Sequence, residues 1–321
     1  MNPSLIMSVA PSDVVTVTLN PAIDRTVVVP NFTTGTVNRA RIIRETPGGK
    51  GVNVAAALAD FGHQTAATGF LGRENARLFE ALFVQKRITD CFIRIAGETR
   101  MGIKVCDPVA QNTTDINFPG TAPSLDDIAS FWEQIEALDA PWFVLGGSLA
   151  PNVDPAIYGN LVARLKAMGQ KVILDTSEEP LRLALQAAPS IIKPNIHELE
   201  ALLGEPLRNE QEVIHAARSL LSHGIEMVVV SMGKDGACFV TADQVVIATP
   251  PEIQVLSTVG AGDAMVAGIA SAHLRDLSLA DCARVATAFS IEAISQPEGG
   301  KISPAAIASA MERVTLRIHS H

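Results

Sequence analysis

The chain has 321 residues, 47% of them hydrophobic, with 25 Lys and Arg against 34 Asp and Glu and a formal net charge of −9. That length allows one large or two small domains with ample apolar material for a core, and the acidic balance argues against nucleic acid or an anionic membrane as a partner. Cys91, Cys106, Cys238 and Cys282 are scattered with no CxxC, so they read as reduced thiols of a cytoplasmic protein. The chain opens on no basic, apolar signal-like run, and nothing approaches the ~20 apolar residues of a membrane span. In chain order, 14–19 is a β-branched apolar run and predicts a buried strand. Segment 25–46 alternates Val, Ile and Thr with polar residues and predicts half-buried antiparallel strands. Helices are expected over 52–61, ended by Gly62, and over 74–85. Segment 91–118 repeats the alternating pattern of 25–46. A helix over 125–138, a strand over 142–145 and a helix over 155–168 follow. Strands come next at 171–175 and 190–193, then a helix over 210–222 and a strand over 227–231. Helices over 263–274 and 279–294 close the pattern, and His319 and His321 lie in a polar tail expected to be mobile. The alternation implies an α/β fold: a mostly parallel sheet flanked by helices. Ligands in such sheets gather at the carboxyl ends of the strands. Asn20–Asp24, Gly146-Gly147-Ser148, Lys193–Asn195 and Ser231–Gly233 each directly follow an expected strand.

Gly260-Ala261-Gly262-Asp263 is the most informative stretch. Small residues lead into an apolar helical run, and helix-opening amides carry partial positive charge that can hold a phosphate. Asp263 stands in the first turn, beside any anion held there. A carboxylate in that place is unfavourable unless it has work to do, such as accepting a proton from an attacking hydroxyl. A plain N-cap and turn would use the same residues. Pro47-Gly48-Gly49-Lys50-Gly51-Val52-Asn53 is a second run from glycines into a helix. It is neither a GxxxxGK[ST] loop nor a GxGxxG turn.

The pairing of these two distant segments resembles the PfkB (ribokinase-like) carbohydrate kinases. Further agreement lies at Thr18-Leu19-Asn20-Pro21-Ala22-Ile23-Asp24, at Gly147-Ser148-Leu149, at Lys193-Pro194-Asn195 with Glu198, and at Ser231-Met232-Gly233-Lys234-Asp235-Gly236-Ala237. These matches keep the family's order over most of the chain. Gly69–Asn75, Thr99–Lys104 and Val37-Asn38 are most similar to the family branch that phosphorylates fructose 1-phosphate.

The resemblance implies a single ribokinase-like kinase domain over 1–321, with segments 25–46 and 91–118 forming a small β-sheet lid. It implies ATP-dependent phosphoryl transfer to the free hydroxymethyl of a ketohexose phosphate, fructose 1-phosphate before tagatose 6-phosphate or fructose 6-phosphate. A catalytically silent sugar-phosphate sensor on the same scaffold is the rival from another class. Gly260, Ala261 and Gly262 would supply anion-holding amides and Asp263 the base. Asp24 would grip sugar hydroxyls; Gly49, Lys50, Asn53 and Ser148 would contact the sugar phosphate. Arg100 would clamp its phosphate with a planar fork, with Lys104 on the same strand face and Arg39 or Arg41 as further candidates. Lys193, Asn195, Ser231, Gly233, Gly236 and Ser295 would line the ATP path. Asn195 and Glu198 would hold Mg²⁺ through water, although Asn195-x-x-Glu198 is equally a capping-box pattern. A homodimer through the lids is expected, because strand-rich inserts have edges that need cover. Two departures stand out: Ala150 intervenes before Pro151 in the Gly-Ser-Leu loop, and Ser257 replaces the aspartate that many relatives use beside a monovalent cation.

Overall fold

The structure, a computed structural model, describes residues 11–253, 255–256, 260–296 and 300–320. Strand β1 (Val14–Thr18) is buried throughout, as a central strand covered on both faces must be. The chain then leaves the main sheet for β2 (Ala22–Val28) and β3 (Arg41–Gly48) and returns as α1 (Lys50–Phe61). Gly49, at φ 120, opens that helix, and Gly62 ends it in the left-handed conformation. Strand β4 (Thr65–Gly72) runs parallel to β1 at its side. Helix α2 (Arg77–Lys86), the short β5 (Thr89–Asp90) and β6 (Ile93–Ile95) follow, both strands pairing with β4. Strands β7 (Arg100–Asp107) and β8 (Asn112–Asn117) make a second excursion.

From there the chain alternates: α3 (Leu125–Ala137), β9 (Trp142–Gly146), α4 (Ile157–Ala167), β10 (Lys171–Asp175), α5 (Glu178–Ala184), β11 (Ile191–Ile192), α6 (Ile196–Leu203), α7 (Glu210–Leu221) and β12 (Met227–Ser231). Strands β13 (Ala237–Val240) and β14 (Gln244–Thr249) turn antiparallel. Helices α8 (Ala261–Leu274), α9 (Leu279–Ile294) and α10 (Pro304–Arg313) and strand β15 (Thr315–Ser320) complete the described chain.

The main sheet runs β15-β14-β13-β12-β11-β10-β9-β1-β4-β5, parallel from β12 to β5. One core lies between the sheet and α3, α4 and α7, around Phe131, Phe143, Tyr158 and Leu161. The other lies against α1, α8 and α9, around Val144, Phe239, Val266 and Phe289. Two buried faces explain the unbroken apolar runs in β9, β12 and β13. The excursions form a separate four-stranded sheet, β3-β2-β7-β8, with its own small cluster of Val27, Val29 and Val105.

Three readings change. Residues 91–99 belong beside the main sheet, because Phe92 and Ile95 bury themselves there; the second strand pair of the small sheet starts at Arg100. The expected tail at His319 is strand β15, in register with β14, while His321 lies outside the described residues. Strand β4, between β1 and the edge strand β5, is not expected from TAATGFLG, since it is built from small residues, threonines and only two large apolar side chains.

Candidate active site

Strand β10 ends in Asp175, whose side chain is only 2% exposed. Lys50, the first residue of α1, reaches it with Nζ 2.9 Å from Oδ2. Lys193, just past β11 and itself buried, places Nζ 3.3 Å from Oδ1, at ion-pair distance but without hydrogen-bond direction. Two ammonium groups therefore share one buried carboxylate. Burial alone would release a proton from Lys50, but Asp175 and Asp263 outweigh it and hold the Lys50 pKa above the ordinary lysine value. Burial pushes Asp175 the other way, and the two lysines prevail, keeping its carboxyl below the usual range.

Asp263 adjoins this cluster. It lies in the first turn of α8, 8% exposed, with Lys50 Nζ 3.9 Å from Oδ1. Asn53, one turn after Lys50 on α1, donates its amide to Asp263 Oδ2 at 2.7 Å. Burial raises the Asp263 pKa above the ordinary aspartate value, and the Asp175 charge adds to the rise. Lys50, Asn53 and Lys193 oppose it. The result is a carboxylate more basic than a free aspartate, held by named partners. Gly260 caps α8 in the left-handed conformation, φ 80, with no side chain bonded to the helix-opening amides. Lys193 Nζ would lie 3.5 Å from a Cβ at Gly262, so this cation faces the helix start. An anion at that start would meet backbone amides and two lysines. Of the stretch leading into α8, Ser257, Thr258 and Val259 lie outside the described residues.

On the small sheet, the β2–β7 register sets Asp24 opposite Gly102. A Cβ at Gly102 would come within 2.6 Å of one Asp24 oxygen, and one at Gly48 within 2.4 Å of the other. The carboxylate thus lies across two strands that lack side chains beneath it. Lys104 Nζ donates to Asp24 Oδ2 at 3.2 Å. One cavity is lined by Asp24, Asn53 and Gly260 together, so the small sheet, α1 and α8 face a common space.

Arg100 and Ser148 meet elsewhere, around Asn20. Arg100 donates from Nε to Asn20 O at 3.3 Å and from a terminal nitrogen to Phe118 O at 3.1 Å. Burial holds its pKa below the ordinary arginine value, partly offset by Asp24. Ser148 is exposed, and its Oγ accepts from the Asn20 amide. Arg39 and Arg41 do not join either group: both are exposed, and Arg41 pairs with Val28, at the end of the strands away from Asp24.

The capping-box reading of Asn195 and Glu198 is realised. Asn195 Oδ1 accepts from the Glu198 amide at 2.9 Å, and Glu198 Oε2 accepts from the Asn195 amide at 2.8 Å, opening α6. Ser231 lies beside Asn195 in an isolated parallel bridge. Gly233 is exposed, whereas Gly236 is buried where a Cβ would strike Ala248 O, so its role in the turn is steric. The Ser295 hydroxyl donates to Ile291 O at 2.7 Å, spending its proton on its own helix. Among the described residues, no three His, Cys, Asp or Glu side chains cluster as a metal site.

Asp175, which the sequence marks only as the last residue of a strand, is a candidate site residue that the structure adds; a carboxylate ending an apolar parallel strand is a signal in itself. Asn20 is another, because its part depends on contacts about a hundred residues away.

The pfkB family carbohydrate kinase description matches residues 14–306. A 1-phosphofructokinase of Xanthomonas campestris pv. campestris is 45% identical over 310 residues, covering 94% of this chain and 97% of that protein. One of Rhodobacter capsulatus is 44% identical over 307 residues, covering 95% and 97%. The crystal structure of phosphofructokinase-2 from Escherichia coli in complex with potassium superposes with a TM-score of 0.88 at 27% identity, covering 94% of this chain and 98% of that one. The expected fold and family are borne out: the chain belongs to the pfkB family of carbohydrate kinases.

Proposed function

We infer that the chain transfers the γ-phosphoryl group of ATP to the free hydroxymethyl of a ketohexose phosphate, converting fructose 1-phosphate to fructose 1,6-bisphosphate. The observation that carries this reading is Asp263: a buried, more basic carboxylate at an uncapped helix start, between Asn53 and Lys50. In the reaction, the hydroxymethyl oxygen bonds to the γ-phosphorus and the bond to the β,γ-bridging oxygen breaks, leaving ADP. The hydroxyl proton passes to Asp263. Even a raised carboxylate is a far weaker base than an alkoxide, so the proton moves late, as the new bond forms. The transition state is loose, and the chain's task is to position and neutralise. The amides of Ala261 and Gly262, with Lys50 and Lys193, supply that charge at the transferring group.

Asp24 grips sugar hydroxyls, and Arg100, Ser148 and Lys104 take the sugar's phosphate end. Gly49 and Lys50 let the backbone and one cation approach the substrate. Ser231, Gly233, Gly236 and Ser295 line the nucleotide path. Asn195 and Glu198 spend one oxygen each on the cap. The second carboxylate oxygen of Glu198, which bonds to none of the described residues, fits a hydrated Mg²⁺ held through water. When bound with ATP, Mg²⁺ supplies charge neutralisation to the phosphates.

The choice of fructose 1-phosphate is supported by the names and coverage of the relatives. The test is a panel of kcat/KM values. A higher value for tagatose 6-phosphate or fructose 6-phosphate than for fructose 1-phosphate overturns the substrate but keeps the kinase. Binding without ATP consumption for every sugar phosphate supports the sensor instead.

The small sheet serves as the lid, and two copies pair through it. Strand β8 is exposed along its whole length, and Ile42, Ile116 and Phe118 are 57%, 45% and 49% exposed on this sheet and its return. A second copy would cover that edge. Four unpaired cysteines, three of them buried, support a cytoplasmic setting. No helix among the described residues is long and apolar enough to cross a membrane.

A further inference from the structure

We propose that Asn20 is a positioning residue that sets the sugar-phosphate end of the site. The proposal rests on the sugar-phosphate kinase reading. Asn20 lies between β1 and β2, where the chain crosses from the main sheet to the small one, and is 8% exposed. Its amide nitrogen has three oxygens in reach: Pro119 O at 3.1 Å, Leu149 O at 3.0 Å and Ser148 Oγ at 3.3 Å. An amide has two hydrogens, so at least one is shared. The two carbonyls fix the orientation of the amide, since a flip would set its oxygen against both.

The other side of the amide is closed as well. Gly120 passes so near Asn20 Oδ1 that a Cβ there would lie 2.4 Å away. The Asn20 carbonyl meanwhile accepts from Arg100, whose second bond goes to Phe118 O. Asn20 and Arg100 together therefore bind the adjacent carbonyls 118 and 119, where the chain returns from β8. One side chain thus ties three strands of backbone: the exit into β2, the return from β8 and the loop at 147–149.

This knot has a chemical consequence. Ser148 Oγ accepts from Asn20, so its own hydrogen remains free to donate outward from an exposed side chain. Arg100 is anchored through two carbonyls and still carries further N–H donors. Both groups can then donate outward, which suits a phosphate, an acceptor-only partner. Asn20 touches no substrate in this account. It acts by holding Ser148 and Arg100 at one spacing.

The experiment measures KM for fructose 1-phosphate and for ATP, kcat and thermal stability in Asn20→Ala, Asn20→Asp and Gly120→Ala. Asn20→Asp sets a carboxylate against the carbonyls of Pro119 and Leu149, and Gly120→Ala presses on the native amide from the opposite side while also straining a backbone held at φ 99. Each variant is expected to raise the sugar-phosphate KM at least ~10-fold while the ATP KM stays within about twofold. Because Asn20 works through Ser148, adding Ser148→Ala to Asn20→Ala should raise KM by clearly less than the product of the two single effects. Equal changes in both KM values, unchanged KM values or full multiplicativity would overturn the proposal. Asn20→Asp, nearly the size of the native side chain, keeps the test decisive if Asn20→Ala fails to fold. Turnover of fructose 1-phosphate by the unaltered protein is measured first. Its absence sinks the kinase reading, whereas an unsplit KM in the variants sinks only the role of Asn20.

Discussion

Asp175 and Asp24 are both carboxylates paired with lysine, but on different supports. Asp175 closes a buried parallel strand, is 2% exposed, and shares itself between Lys50 and Lys193. Asp24 lies on a four-stranded sheet whose own cluster is little more than Val27, Val29 and Val105, and its pair with Lys104 leaves both side chains partly open, 19% and 12%. Asp175 and Lys193, 2% and 4% exposed, cannot rearrange cheaply, while Lys50, 35% exposed, carries the cluster's charge toward solvent, so the Asp175 cluster would offer a preformed field to a phosphoryl group. The Asp24 side can shift with its sheet, which suits the entry and release of a sugar. Rigid electrostatics and adaptable recognition are thus separated onto two sheets.

The sharpest test of this division is Asp263→Asn. It keeps the bond with Asn53 and the helix start but removes the base, so kcat should fall at least ~10²-fold with little change in melting temperature. Near-normal kcat would remove Asp263 from the chemistry. Asp175→Ala should instead be felt in folding. It leaves Lys193, 4% exposed, without its buried carboxylate and beside the Lys50 cation, and breaking a buried pair in this way typically costs about 3–5 kcal/mol. A denaturation midpoint unchanged from the parent would show that the cluster is not the rigid element described.

Arg100→Ala should raise the sugar-phosphate KM about 10-fold and leave the ATP KM nearly fixed, because the guanidinium belongs to the small-sheet side. Equal effects on both substrates would dissolve the distinction between the two regions. The pH profile offers a finer measure. Asp263 works as a base only when ionised, so kcat/KM falls as pH drops through its pKa. Burial sets that acid limb above the ordinary aspartate range, and Lys50 pulls it down. Lys50→Met should therefore move the limb to higher pH, whatever the loss in rate; a limb that moves down contradicts the assigned field. The smallest catalytic effect is expected from Ile116→Lys. It should shift the protein from dimer to monomer in sedimentation while leaving Asp175 and its lysines intact. A parent protein already monomeric at micromolar concentration and fully active would rule out pairing through the small sheet.

Much of the main sheet is legible because its strands are apolar on both faces and its first helix ends on a readable residue, Gly62. Strand β4 is not, since small residues and threonines carry no β-strand period, and its place is set by β1 alongside it. The hairpin of β13 and β14 and the short helices α5 and α6 carry no clear sequence pattern either, because of their length and composition. In the site, the glycine-led helix starts announced themselves. Asn195 and Glu198 could be read two ways, and only the coordinates show the cap being used. Asp175 and Asn20 act through partners 125 and 128 residues distant, a relation that no local pattern contains.

The order of the main sheet bears on how the protein is made. After β1 and β4 pair, β9 joins β1, and β10, β11, β12, β13, β14 and β15 then add one after another along the same side. Each new strand meets the one synthesised just before it. A nascent chain can therefore extend the sheet in the sequence in which it leaves the ribosome, without waiting for a distant segment to be inserted between finished strands. From β9 onward the growing edge on this side is always the newest strand, and it is covered by the next to emerge.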